Sequence, residues 1–388
     1  MDKDYKIEND VLIIKLVGNV DTNTCGDVEK VINDIIDEAG SFTNINLDIE
    51  KVPYVSSAGL RVILRLMRRY PKLLITNVNS EVYDVFDMTG FTQMVSVKKA
   101  YKTLSVEGCK EIGRGAKGII YRYNDDTIIK VYKNKDILEK IEQERELAKK
   151  ALILGIPTAI SYDVVKVGDS FATVFELLDC SSMGGLLKEN PEKLDYYACE
   201  FAKLLKQINT TPATLDIKDA SGVAYNWLNI SRSYLGEELY QKIKAMVDRI
   251  PNTNTIVHGD YHTNNVMVLK DEMILIDMDT LSRGNKIFDL AIISFSYHEM
   301  NNFDENNSAS FLGLDKDVAI SFYDAFIKYY FDGKSEELIN EYNDKISLLA
   351  LLRVLSHSIK RGRAEELLKQ AKERVIDLLA KIDNLVID

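Results

Sequence analysis

The chain is expected to fold as an α/β domain, a mixed sheet with helices, followed by a larger α+β domain. Three observations predict this. The first hundred residues alternate strand-like and helix-like patterns, a glycine-rich hairpin at 113–118 opens the second part, and a polar loop at 256–268, IVHGDYHTNNVMV, is followed by MILIDMD at 273–279. With 388 residues the chain has room for two or three domains.

In the first part the order reads strand VLIIKLVG, helix VEKVINDIIDEA, strand FTNINLDI, helix AGLRVILRLMRRY, strand KLLITNV, helix SEVYDVFDMTG and a short VSV. Alternation of this kind argues for a small sheet with helices packed on it.

The second part begins with strands on both sides of a glycine cluster, EGCKEIG and GIIYRYNDDTIIKVY, with NDD as a hairpin turn. GRGAKG is a full G-x-G-x-x-G, a weak signal alone because glycine clusters mark any tight hairpin. A dinucleotide fingerprint needs a helix after the glycines and an acidic residue about 20 positions on. Here a strand follows, so Gly113, Gly115 and Gly118 read as a lid over phosphates. Lys130 stands among Ile128, Ile129 and Val131 in a strand that reads as largely buried, where it would reach the α- and β-phosphates. A buried charge wants a partner. The helix KDILEKIEQERELAKKALILG, ending at Gly155-Ile156-Pro157, offers one: Glu144 shares a helical stripe with Leu147, Ala148 and Ala151, and Glu142 is the alternative.

The loop at 256–268 carries the chemistry. Phosphoryl transfer needs an oriented nucleophile and magnesium to neutralise the phosphate oxygens. In H-x-D-x-x-x-x-N the Asp, here Asp260, accepts the hydrogen bond of the substrate hydroxyl, and the Asn, here Asn265, binds metal. Mg2+ takes oxygen ligands and keeps several waters, so one amide oxygen and one or two carboxylates suffice. Asp277, ending the apolar run MILI, is the further ligand, and Asp279 ranks second, as ligand or turn cap. HGD alone could be a turn and Asp277 a strand terminator. The glycine hairpin, Lys130 and Glu144, in order upstream, favour the functional reading. His258 reads as a structural histidine holding this loop.

Long helical segments follow the hairpin region, EKLDYYACEFAKLLKQI and GEELYQKIKAMVDRI, and the tail adds DKISLLALLRVLSHSIKRG and AEELLKQAKERVIDLLAKI. Protein kinases place an activation segment and A-P-E after the metal-binding Asp. Only a dozen residues separate Asp277 from Asp289, too few for that segment. The acceptor is therefore expected to be a small hydroxyl compound.

Residues from about 101 to the C-terminus resemble the aminoglycoside phosphotransferase and choline kinase branch of the protein-kinase-like superfamily. GRGAKG, Lys130, Glu144, VFELLD at 174–179, HGDYHTNN, ILIDMD and FDLA at 288–291 carry the resemblance. It implies a two-lobed fold, N-lobe about 101–178 and C-lobe about 179–388, using ATP or GTP with Mg2+. It makes Asp260 the catalytic base, Asn265 and Asp277 magnesium ligands, Glu176 and Leu178 hinge positions at the nucleotide, and Asp289 a carboxylate bracing the catalytic loop.

KVPYVSSAGLRVILRLM resembles the signature of STAS domains, the anti-sigma-factor antagonist family, and the match covers nearly all of residues 1–100. The resemblance implies regulation or docking through a protein partner and puts Ser57 at the phosphoacceptor position, where a helix N-terminus favours an anion. Ser56 replaces the common Asp and Ala58 the second hydroxyl, and either Ser56 or Ser57 could simply be an N-cap.

Composition fits a cytoplasmic enzyme. No apolar run spans a bilayer, and MDKDYKIEND is no secretory signal. The four Cys are scattered without a C-x-x-C pair, which argues against a disulfide framework or zinc site. A net charge of −11 disfavours nucleic acid and tolerates a cationic substrate. Twenty Tyr could form a quaternary-amine cage but pack helices more often. Acceptor specificity is expected at about 180–250, near Trp227. Two other functions stay open: a signalling kinase acting on a STAS serine, its own Ser57 or a partner's, and a nucleotide-sensing scaffold, against which intact Lys130, Asp260, Asn265 and Asp277 speak.

Overall fold

The computed structural model describes residues 3–388 apart from 116, 135, 136 and 271. Ala116 of the glycine motif and Lys135 and Asp136 at the start of the expected helix lie outside the described residues. The chain divides into two compact units, Met1–Gly108 with Val164–Ala172, and Cys109–Asp163 with Thr173–Asp388.

The first unit is built on five strands, β1 (Asp4–Glu8), β2 (Val11–Val17), β3 (Asn44–Lys51), β4 (Leu74–Val78) and β5 (Ser96–Lys99), in that spatial order. β1 is antiparallel to β2 and the remaining pairs are parallel. Three helices connect them, α1 (Cys25–Glu38), α2 (Ser57–Arg69) and α3 (Ser80–Met88). Sheets buried on both faces read as continuous apolar runs, whereas a half-buried sheet alternates. β3, NINLDIEK, alternates: Ile45, Leu47 and Ile49 are buried, while Asn46 accepts a 3.0 Å hydrogen bond from Thr76 on the other face. The core therefore lies on one face, where the buried stripes of α1 (Val28, Ile32, Ile35) and α2 (Leu60, Ile63, Leu66) meet it. β1 was not visible as a strand because DYKIE has one strongly apolar residue, and pairing with β2 decides its state.

At the start of α2, Ser56 supplies the cap, its hydroxyl accepting from the Ala58 and Gly59 backbone at 3.2 and 3.5 Å. Ser57 is the first helical residue and is exposed. A Cβ on Gly59 would fall 2.3 Å from the carbonyl oxygen of Val20, which bridges to Val55, so only glycine lets α2 approach that bridge. β6 (Thr103–Leu104) follows in the same unit.

The second unit opens with an antiparallel meander, β7 (Lys110–Arg114), β8 (Gly118–Arg122) and β9 (Thr127–Tyr132). A Cβ on Gly118 would lie 2.4 Å from the Val131 carbonyl oxygen, so this glycine serves the close pairing of β8 with β9. Next come α4 (Leu138–Ile153), β10 (Asp163–Val167), which falls almost wholly in the first unit and runs parallel to β6 there, and β11 (Ser170–Glu176), whose end lies beside β9.

The rest is mainly helical: β12 (Ser181–Ser182), α5 (Met183–Glu189), α6 (Leu194–Thr210), α7 (Ser221–Leu235) and α8 (Glu237–Val247). Four short strands follow, β13 (Ile256–Val257), β14 (Val266–Leu269), β15 (Glu272–Leu275) and β16 (Ser282–Arg283), with β14–β15 a hairpin and β13 paired to β16. The chain closes with α9 (Ile287–Ser294), α10 (Asn307–Phe311), α11 (Lys316–Tyr330), α12 (Glu336–Lys360) and α13 (Glu365–Leu379). Every residue of α9 is buried, and the middle of α12 is apolar all round, so helices surround both. α7 and α11, rich in polar and aromatic residues, were not singled out by periodicity.

Candidate active site

The loop between β13 and β14 is fixed from below by a buried carboxylate. Asp289, in the first turn of α9, accepts from the backbone N–H of Gly259 at 2.7 Å, from that of His258 at 3.0 Å and from the Asn209 amide at 2.8 Å. Burial pushes its carboxyl up, and the three donors oppose that shift. Asn209 of α6 in turn accepts from Tyr330 of α11 at 2.9 Å. Gly259 adopts φ +83°, and a Cβ there would fall 2.7 Å from the Thr280 carbonyl oxygen. Thr280 returns the contact, its hydroxyl donating to the His258 carbonyl at 2.8 Å.

His258 is fully buried, and burial lowers its pKa to about 4, so the ring is neutral at physiological pH. Its Nδ1 accepts from the Asp260 backbone N–H at 3.3 Å. The loop is held from the sides as well. Tyr261 donates to the Phe201 carbonyl of α6 at 2.9 Å, and Tyr297 donates to the Thr263 hydroxyl at 2.9 Å while accepting from the Thr263 N–H at 2.8 Å.

Asp260 is half-buried, with His262 Nε2 3.8 Å from its Oδ2. Burial would raise its pKa, but His262, Arg353 and His258 together hold it below the usual carboxylate range. Asn265 joins the two polar segments: its side-chain N–H donates to the Asp260 carbonyl at 3.0 Å, and its own carbonyl accepts from Ile276 at 3.0 Å. Asp277 sits at φ +65°, a left-handed conformation that Asp tolerates better than most residues.

The glycine-rich sheet faces these carboxylates with two ammonium groups. Lys130 Nζ lies 3.7 Å from Glu144 and 3.8 Å from Asp277, and all three side chains are largely shielded from solvent. Burial would lower the Lys130 pKa and raise that of Glu144; Glu144, Tyr132 and Asp277 outweigh burial at Lys130 and keep it charged. Glu144 thus sits with Lys130, whereas Glu142 pairs with Arg145 at 3.1 Å. Lys117 meets both oxygens of Asp277, at 2.9 and 3.0 Å, and Asp279 at 2.7 Å. Sequence reasoning passed over Lys117; a lysine inside the glycine motif, facing carboxylates still to come in the chain, was the available signal. Gly113 and Gly115 carry no close-contact requirement, and Gly115 donates to the Gly118 carbonyl at 2.9 Å. Farther along the chain, Glu176 is exposed and accepts from Tyr162 at 3.1 Å, and Leu178 is half-buried.

Hard oxygen donors with two ammonium groups already drawn to them fit a divalent cation. Asp277, Asp279 and the Asn265 Oδ1 would hold Mg2+, which neutralises charge on phosphate oxygens when bound.

Such a fold and site define a kinase-like phosphotransferase. Residues 109–334 match the family model described as the phosphotransferase enzyme family, and residues 2–105 match the STAS domain. The chain belongs to the phosphotransferase enzyme family, with an N-terminal STAS domain. Similar solved structures include the ADP-bound aminoglycoside phosphotransferase APH(2'')-Ib, at 15% identity, 69% of this chain, 92% of that chain and a TM-score of 0.46. Another is a choline/ethanolamine kinase family protein from Mesorhizobium loti, at 12% identity, 70% of this chain, 87% of that chain and a TM-score of 0.44. No helix among the described residues is long and apolar enough to cross a membrane.

Proposed function

We propose that the chain transfers the γ-phosphoryl group of ATP or GTP, with Mg2+, to a hydroxyl of a small molecule, and that residues 1–100 regulate or dock the kinase formed by residues 101–388. The observation that carries this is Asn265, whose amide ties Asp260 to the segment ending in Asp277, while Lys130 reaches Asp277 from the glycine-rich sheet. These contacts link the side that would hold the nucleophile with the side that would hold the phosphates.

The roles follow from charge. Lys130, held by Glu144, binds the nucleotide phosphates under the lid of Gly113, Gly115 and Gly118, and the hinge at Glu176 and Leu178 borders the base. Asp260, with its depressed pKa, is ionised and too weak a base to deprotonate an alcohol outright. It accepts the hydroxyl's hydrogen bond, aims the oxygen at the γ-phosphorus, and takes the proton as the new O–P bond forms and the bond to the leaving nucleoside diphosphate breaks. His258 and Asp289 hold the loop that carries it. Acceptor-stimulated ADP release by the full chain tests the reading; loss of release in Asp260→Ala with nucleotide binding retained supports it, and equal release by wild type and variant rejects it.

A second reading has one observation behind it. Ser57 is exposed at the first turn of α2 while Ser56 supplies the cap, so Ser57 is free to accept a phosphoryl group from this or another kinase. Incubation of the pure protein with labelled ATP decides the self-modifying form: an unlabelled chain rejects it.

A further inference from the structure

Arg353 of α12 is an aromatic-caged cation whose charge reaches Asp260. Its guanidinium carbon lies 4.8 Å from the Phe295 ring centroid and 5.4 Å from that of Trp227, both buried rings. Among the described residues it makes no hydrogen bond, and no carboxylate oxygen lies within ion-pair distance of it. Asp304 is committed to Arg363 at 2.5 Å, and Glu299 to Arg374 at 2.9 Å and His298 at 3.3 Å. Asp260 and Arg353 feel each other's charge without touching.

One turn on, the His357 ring lies 5.5 Å from Phe295, and Arg361, Arg363, Arg353 and Lys360 surround it with positive charge. This end of α12 is basic in a chain of net charge −11. A half-buried guanidinium with no anion in reach keeps its donors free, and two ring faces engage its plane without satisfying them. Its planar fork of donors matches a carboxylate or phosphate in two-point contact. A ring cage fixes the group's direction, which a mere background charge on Asp260 does not need.

We propose that Arg353 anchors an anionic group, carboxylate or phosphate, on the acceptor, and so presents that molecule's hydroxyl to Asp260. This rests on the phosphotransferase reading and names its substrate class: hydroxy acids or phosphorylated alcohols, in place of the cationic or neutral acceptors that overall charge would admit.

The test uses the full chain with acceptors matched in hydroxyl and differing in charge: glycerate and glycerol 3-phosphate against glycerol, gluconate against glucose, and ethanolamine as the cation. Acids should stimulate ADP release above their neutral partners, the carboxylate and phosphate arms telling the two anions apart. Arg353→Gln should raise KM for the acids roughly 10- to 100-fold, with a smaller change in kcat, and Arg353→Lys should restore part of the loss. A preference for glycerol, glucose or ethanolamine overturns the proposal. So does an Arg353→Gln variant, folded by circular dichroism, that lowers kcat equally on every acceptor. If no compound stimulates release, calorimetric binding of the same acids separates the two ideas. Binding lost in Arg353→Gln keeps the anion site and rejects phosphoryl transfer to these compounds; no binding of any acid to wild type rejects the site.

Discussion

Lys117 and Asp277, 160 residues apart, are joined by hydrogen bonds of 2.9 and 3.0 Å from one ammonium to both carboxylate oxygens. Burial would lower the lysine pKa, but its hydrogen bonds to Asp279 and Asp277 outweigh it, so Lys117 is fully charged. A cation from the glycine hairpin thus rests on the oxygens that would take a metal. Lys117→Met should strengthen Mn2+ binding in the absence of nucleotide by a few-fold, since a part-exposed pair competes with about 1 kcal/mol or less. Unchanged Mn2+ affinity by paramagnetic titration would remove Asp277 and Asp279 from the metal site.

Asp260→Asn keeps the shape of the side chain and removes the charge. Turnover should fall by roughly 100- to 10,000-fold, the usual share of a positioned base. Nucleotide affinity, measured by calorimetry, should stay within a few-fold of wild type. A parallel loss of affinity would mean that Asp260 holds nucleotide instead.

Stability should depend on acid through His258. The unfolded imidazole titrates at 6.5 and the buried one at about 4, so between these values the unfolded chain binds a proton that the folded chain refuses. Its contribution is complete above pH 6.5 and is lost as pH falls toward 4, by about 3 kcal/mol in all. Urea unfolding at pH 7 and pH 5 should show a flatter pH slope in His258→Asn than in wild type. An identical slope would show that the buried ring does not resist protonation.

Asp289→Ala strands three donors, two of them on the backbone of the loop that carries Asp260. Loss of about 3–5 kcal/mol of stability is expected. Thermal unfolding checks it, and a change below 1 kcal/mol would mean water replaces the carboxylate at no cost.

In the first unit, Ser56→Ala should cost about 1 kcal/mol because it removes the cap of α2. Ser57→Ala should change stability by less than about 0.5 kcal/mol. Reversed magnitudes in urea titrations would assign the cap to Ser57.

Much of the candidate site is legible in the sequence, since its parts are short-range patterns. The spacing of Asp260 and Asn265 is fixed by one loop, and the inward stripe that selected Glu144 is a property of one helix. β1 is hard to read because DYKIE has one strongly apolar residue, whereas α7 and α11 do space a buried face helically, Ala224, Trp227 and Leu228 in one and Phe322, Phe326 and Tyr330 in the other, among many polar and aromatic residues. Their states are set by neighbours, as β2 pairs with β1 and α6 packs on α11. The choice of Ser56 over Ser57 as cap was open in sequence, because both are adjacent hydroxyls. Backbone direction decides it, with Ser56 extended at ψ 173° and its oxygen turned to the first free N–H groups.

The sequence by itself determined which chemistry the chain carries, through residue types whose spacing brings amide, carboxylate and loop glycine together over a few residues. Tertiary structure alone decided which charges remain without partners. Lys117 finds Asp277 across 160 residues, and Arg353 is left between two rings without an acid, because long-range packing, not local pattern, sets which acid each cation meets.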